Sequence, residues 1–410
     1  MLDRDTAIQQ ALQQNRDLRV ASLQIQRAKV RLHWAGRLPN PEIELTAEDD
    51  FLGENEDENS LGLAYTQRFP IGSSLRLDQE LRRSQVTMAE LEFVARQRQL
   101  AYEVELAWVK LAVSAKKTNL QSRLLQLNAD VVQFLDDKAG VGEASPLDAT
   151  QAKLSGRMID QKLAFSKRDA QSAEARLELL IGLNPAASIV VPTPALPAAS
   201  PSRGPAIGSV LQRRADYLAL VHQAAVGKAS LDLATAQKWE DIGLTVFYKR
   251  EHSVDLPEGR DRNSFAGFGI SLPLPLRSAN GPAMADAELD IVLSDTAREA
   301  LAYKIGGELR AAVESRNVAH RLAQEATGDL LELAKSNFAD IQRASQSGQV
   351  GFLQVQLAQE QLLQIETTAI NLLEAFLVAD AEVRFHASEY ELSLPTIASG
   401  KRPVSHSPQK

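Results

Sequence analysis

The chain has 410 residues and a net charge of −8, so it carries no basic footprint for nucleic acid. Apolar residues make up 44% but aromatic ones only 5%, which favours long helices packed through small side chains over a thick aromatic core. With no cysteine, disulfides and thiolate metal sites are excluded, and no unbroken run of 18 apolar residues offers a transmembrane helix. The opening MLDRDTAIQQAL lacks the basic and apolar regions of a signal peptide.

From Asp5 to Gly36 the apolar spacing of Ile8, Leu12, Leu18, Ile25 and Leu32 predicts helix, ended by Pro39 and Pro41. Two strands follow, at about 41–50 and 60–69. Ile43, Leu45 and Ala47 alternate with Glu42, Glu44 and Thr46, and Leu61, Leu63 and Tyr65 alternate with Gly62, Ala64 and Thr66. The acidic loop between them reads as a solvated connection or as a mouth that attracts cations. A helical pattern then runs from 74 to 139 without proline, roughly 100 Å at the helical rise. Glycines at 140 and 142 stop it, Ser145-Pro146 opens the next helix, and that one runs to about 181. Residues 1–183 thus form one unit, and a Pro-rich linker spans 184–204.

The unit then starts again over 205–390. Ile8 and Ile207, Asp17 and Asp216, Leu32 and Leu231, and Ile43 and Ile242 each lie 199 residues apart. Strands are predicted at 241–250, carrying Ile242, Leu244 and Val246, and at 264–274, carrying Phe268, Ile270 and Leu272. Helices follow at 281–346 and 351–388. By then the offset has grown, to 205 between Pro70 and Pro275 and to 206 between the turn glycines Gly142 and Gly348. Val355, Ala358, Leu362, Ile365, Ala369, Leu372, Phe376 and Ala379 form a heptad seam, and Leu309, Ala312, Ala319, Ala323, Ala326, Leu330 and Leu333 keep the same rhythm. Residues 391–410 are Ser- and Pro-containing and read as a disordered tail.

Four strands per chain cannot close a barrel, and an open two-faced sheet cannot sit in lipid with unsatisfied edges. Strands that face lipid therefore require several chains to share one barrel, with the polar face lining water. The fold class is mainly α with transmembrane β: a duplicated helix, β-hairpin and long helical hairpin, assembled as an oligomeric pore. A leader removed from the sequence is the corollary. Chemistry for an enzyme is missing: there is no P-loop, no GxSxG and no HExxH. The six histidines (His33, His222, His252, His320, His386 and His406) are scattered, so neither metal nor cofactor is expected. Trp34 and Trp239 read as interfacial anchors or as packing at helix–strand junctions.

These residues also carry a resemblance. AIQQALQQNRDLR, LPNPEIEL, QRFPIGSSLRL, VGEASPLDATQAKL, RRADYLAL and SLPLPLRSANGPAMADAEL occur in the order found in the TolC family of outer membrane efflux proteins. Within that family the chain resembles the cobalt-zinc-cadmium, heavy-metal branch. The resemblance implies a homotrimer with a 12-stranded barrel in outer-membrane lipid, a helical periplasmic tunnel, and an equatorial region built around the linker. It implies a passive duct fed by a resistance-nodulation-division type pump through a periplasmic adaptor, with no catalysis and no nucleic acid. Drug export and type I protein secretion are the alternative cargoes, and a soluble coiled-coil scaffold the alternative class. The turns Val141, Gly142, Glu143 and Ser347, Gly348, Gln349 are expected to dock the adaptor. Asp148, Gln354 and Leu357 stand where the family has entrance residues, with only Asp148 acidic. Asp148 either bonds a neighbouring helix or simply favours its own helix dipole. The lipid face is expected to carry Ile43, Leu45, Leu61, Leu63, Tyr65, Ile242, Leu244, Val246, Phe268, Ile270 and Leu272.

Overall fold

The computed structural model describes residues 1–49, 58–141, 145–183, 189–199, 201, 203–255, 259–347, 349–390 and 392. The first half holds α1 (Arg4–Gln14), α2 (Arg16–Trp34), β1 (Glu42–Asp49), β2 (Asn59–Phe69), α3 (Ser74–Gly140) and α4 (Pro146–Ile181). The second holds α5 (Ile207–Leu211), α6 (Ala215–Ala236), β3 (Ile242–Asp255), β4 (Gly259–Ser271), α7 (Gly281–Glu325), a π-helical turn (Ala326–Leu330), α8 (Leu331–Gln346) and α9 (Phe352–Ala387). Two compact units emerge. One comprises 1–22, 93–215 and 301 onward, the other 23–92 and 216–300.

In the first unit α9 packs between α3 and α7. Tyr102 stacks on Phe385 at 4.7 Å, and His320 meets Phe376 edge-on at 5.2 Å. Buried residues of α9 fall on two stripes, Ala358, Ala369, Phe376, Ala379 and Val383 on one and Ile370, Leu373 and Ala381 on the other. Small seats on both stripes let one helix serve two neighbours. By length and composition α9 is apolar enough to cross a membrane, although its sequence has no unbroken apolar run. Its Glu374, held by Lys110 at 3.1 Å and Lys117 at 2.9 Å, marks it as a packing helix of this unit.

Local chemistry explains the boundaries. The single first helix expected from the sequence is two helices, broken at Asn15. The Asn15 side-chain oxygen accepts from the backbone of Leu18 at 2.9 Å, capping α2, and its amide donates to the Leu180 carbonyl at 2.8 Å. Ser145 caps α4, accepting from the Leu147 amide at 3.2 Å, and Pro146 occupies the first turn. Gly182 ends α4 with φ of 84°, and a Cβ there would stand 2.7 Å from the Gln14 carbonyl.

The helix expected over 281–346 is likewise not continuous. Its expected seam holds as far as Ala326, but Leu330 and Leu333 are exposed and Ala334 is buried instead. The π turn at Ala326–Leu330 absorbs one extra residue, so every later seat moves on by one.

The second unit contains a four-stranded antiparallel sheet, ordered β1-β2-β3-β4. β3 and β4 reach further toward their turn than the predicted 241–250 and 264–274, pairing up to Asp255 with Gly259. At the other end β4 stops at Ser271, and Leu272 follows it, because Pro273 cannot donate to the ladder.

Candidate channel surfaces

Register sorts the sheet into two faces. One row reads Ile43, Tyr65, Val246, Phe268 across the four strands, and the next reads Leu45, Leu63, Tyr248, Ala266. Below them Gln67, Leu244 and Ile270 align, then Phe69 and Ile242. This face is apolar and open. Ile43 is 72% exposed, Phe268 83% and Ile270 67%; Leu61, Leu63, Tyr65, Leu244, Val246 and Leu272 are exposed too, and Ile242 half-buried. Such continuous exposed apolar area has no place on a water-facing surface.

The opposite face is polar. Its rows run Glu42, Thr66, Thr245, Gly269 and Glu48, Ser60, Glu251, Asn263. Thr66 and Thr245 hydroxyls meet at 2.8 Å, and Lys249 reaches Glu48 at 3.4 Å. Two aromatics missed by the alternation reading, Phe247 and Phe265, also stand here, Phe265 paired with Lys249. Phe247 lies over Gly267, where a Cβ would meet the ring at 2.7 Å, so the glycine makes room for a cross-strand aromatic. Near the other end of the sheet Trp34 is exposed, with the Arg37 guanidinium 4.0 Å above its ring, and Trp239 is exposed as well.

In the first unit the unforeseen feature is a buried charge cluster. Glu105 of α3 is fully buried. It accepts a 2.8 Å bond from the Tyr390 hydroxyl, contacts Arg384, and lies 3.7 Å from Arg4. Arg384 also pairs with Asp380 at 3.0 Å, which Arg316 of α7 approaches at 3.5 Å. Burial pushes the Glu105 carboxyl above its usual range, against the pull of Arg384, Tyr390 and Arg4. The Tyr390 hydroxyl is pushed up for the same reason. Glu374 goes the other way: burial opposes it, but the bonds from Lys117 and Lys110 win and hold it low. A helical periodicity count treats Glu105 as a polar interruption, and only packing reveals its partners, which come from 285 residues away in the case of Tyr390.

The helical turns complete the picture. Val141 is exposed beyond α3, Ser347 ends α8, and the Gln349 amide donates to Ala344 at 2.9 Å. Gly142, Glu143 and Gly348 lie outside the described residues. Asp148 is half-buried in the first turn of α4, and its carboxylate makes no bond to another helix of the protomer among the described residues. Gln354 is turned to its own helix, its side-chain oxygen accepting from the Gly351 amide at 3.0 Å. Leu357 is 57% exposed. An ion pair of Lys153 with Asp136, 2.8 Å, ties α4 to α3 nearby. No group of three or more metal-ligating side chains occurs among the described residues.

A family model described as outer membrane efflux protein matches residues 7–183. No curated protein sequence matches the chain. Among solved structures it is similar to the CusC channel at 21% identity, TM-score 0.72, over 94% of this chain and 91% of that one. VceC of Vibrio cholerae matches at 20% identity, TM-score 0.71, over 94% and 95%. The MtrE outer membrane channel of Neisseria gonorrhoeae, in its open state, matches at 18%, TM-score 0.72, over 94% and 88%. Over residues 7–183 the chain therefore matches the outer membrane efflux protein family, and along nearly its whole length it has the fold of the outer-membrane channels.

Proposed function

We propose that three copies of this chain form a passive outer-membrane duct of a Gram-negative bacterium, extending into the periplasm and exporting heavy-metal cations. One observation carries the reading: a four-stranded sheet with one exposed apolar face, one polar face and two unpaired edges, β1 and β4. Because strands alternate in direction, β4 of one copy meets β1 of the next antiparallel, and three copies close an even-stranded barrel. Closure satisfies the edge amides and carbonyls that lipid cannot. The apolar face then meets lipid, the polar face water, and Trp34 and Trp239 anchor the periplasmic rim. The duct catalyses no reaction.

The turns at Val141 and Ser347–Gln349 dock a periplasmic adaptor, which links the duct to a resistance-nodulation-division type pump. The Asp148 carboxylate, without a bond to another helix among the described residues, and the exposed Leu357 meet neighbouring copies at the tunnel entrance. Heavy-metal cargo rests on the resemblance of the motifs. Mass measurement of the detergent-extracted protein tests the assembly: a trimer is expected, and a folded monomer overturns it. Expression in cells lacking their own duct tests the cargo. Restored growth on cobalt, zinc or cadmium supports metal export, whereas restored drug resistance alone transfers the reading to drug efflux.

A further inference from the structure

Toward the hairpin turns the outward face of β3 and β4 changes from apolar to cationic. Tyr248 pairs with Ala266, then Arg250 with Ser264, then His252 with Arg262. Even spacing keeps all of them on the face that carries Val246 and Phe268. Arg250 and Arg262 are exposed. Among the described residues the Arg250 side chain makes no hydrogen bond or ion pair. Arg262 donates through Nε to His252 Nδ1 at 3.2 Å, and its terminal nitrogens have no partner among the described residues. Arg250 and Arg262 are diagonal neighbours, about 7–8 Å apart at the backbone, so two guanidinium groups can converge on one phosphate.

The neighbouring charges are segregated. Lys249, Glu251 and Glu48 belong to the opposite face, where Lys249 already reaches Glu48. On the outward face the nearest acid in this row is Asp49, separated from His252 by the β2 residue Asn59. The chain enters and leaves the sheet at its far end, through Phe69, Ile242 and Ser271. The cationic rows therefore stand at the outer rim of the band.

We propose that Arg250 and Arg262 bind the phosphate groups of an anionic glycolipid headgroup in the outer leaflet, while Tyr248 and the apolar rows below receive its acyl chains. The inference rests on the duct reading. It adds a lipid site that neither duct function nor barrel closure requires. Guanidinium suits it because its planar fork makes paired, charge-assisted bonds to phosphate that survive partial dehydration at an interface.

The test uses the full chain in detergent micelles, titrated with bisphosphorylated lipid A, with the same lipid stripped of phosphate, and with inorganic pyrophosphate. Native mass spectrometry reads the bound species. The phosphorylated lipid should bind at least about tenfold more tightly than the stripped one, and R250Q/R262Q should remove that difference. K249Q, one residue away on the opposite face, should leave it intact. Equal binding of both lipids, equal loss in K249Q, or binding of pyrophosphate as tight as that of the lipid each overturns the proposal. Flotation with bilayer vesicles is measured in parallel. A chain that does not float refutes the membrane reading itself, whereas flotation without phosphate discrimination refutes the lipid site alone.

Discussion

α3 and the rod made of α7, the π turn and α8 occupy equivalent places in the two repeats, yet one is unbroken over 67 residues and the other is kinked at Gly328. Their buried seats show why. Leu100 and Ile305, Val104 and Leu309, Leu111 and Arg316, and Gln121 and Ala326 are all buried and all 205 residues apart. Past the π turn the spacing becomes 206, with Asn128 and Ala334 both buried. One residue has been added to the second repeat, and the π turn confines it to five residues so that the packing on either side survives. A coiled-coil rod tolerates an insertion when the backbone can take it up locally, and fails when every later seat must rotate.

The sharpest break of this comparison is an insertion after Ser122 in α3. If α3 cannot form a π turn, Leu124 and Leu135 leave their seats, and loss of two buried leucines should cost about 5 kcal/mol or more. Thermal unfolding close to wild type would show that α3 absorbs insertions as the second rod does. Next in size is Glu105→Ala. The two rods are joined through α9, Glu105 of α3 by Arg384 and Arg316 of α7 by Asp380. Removing the carboxylate leaves the mostly buried Arg384 with Asp380 alone and the Tyr390 hydroxyl without its acceptor, an effect of about 3 kcal/mol in denaturant titration. A loss below about 1 kcal/mol would mean that solvent reaches the cluster.

The hairpins allow a similar contrast between faces. Phe268→Lys, on the apolar face, should reduce insertion by about 2–4 kcal/mol at the midplane. Phe265→Lys, on the polar face, should insert as wild type does in vesicle-folding assays. Equal effects would reverse the face assignment. A smaller effect is expected for deletion of Gly328, which restores the symmetry of the repeats. The rod should straighten with Ala326 and Ala334 still buried, and stability should rise by no more than about 1 kcal/mol as a helix-weakening glycine is lost. Unfolding several degrees below wild type would show that the kink is required by packing.

The smallest effects are in pH. Glu105 is raised by burial, so the folded state holds its proton longer than the unfolded one, and its contribution to stability falls as pH rises from the unfolded pKa through the folded one. Glu374 is depressed by its lysines, so its contribution is complete above the unfolded pKa and is lost as pH falls through the folded one. Melting curves of Glu105→Gln and Glu374→Gln across acid pH should therefore deviate from wild type with opposite slopes.

Much of this was legible in the chain itself. Period-two alternation marked Leu61, Leu63 and Tyr65, because a pleated strand sends alternate residues to opposite faces whatever surrounds it. Ser145-Pro146 announced a helix start through conformational preferences that belong to the residues alone. Asn15 was less legible, since its capping role competes with a helical pattern on both sides and is decided partly by the Leu180 carbonyl. The step from 205 to 206 between the repeats signalled an insertion, but where it fell depends on which seats are buried.

The sequence by itself determined the repeated unit, its strand faces and its long helices, because propensity, periodicity and capping act over a few neighbouring residues. Only the tertiary structure decided the edge order of the sheet, the π turn at Ala326–Leu330, and the gathering of Glu105, Arg384, Asp380 and Tyr390 around α9. Each of these depends on which distant segment supplies the neighbour. A buried charge is tolerable, or an added residue absorbable, only once that neighbour is in place.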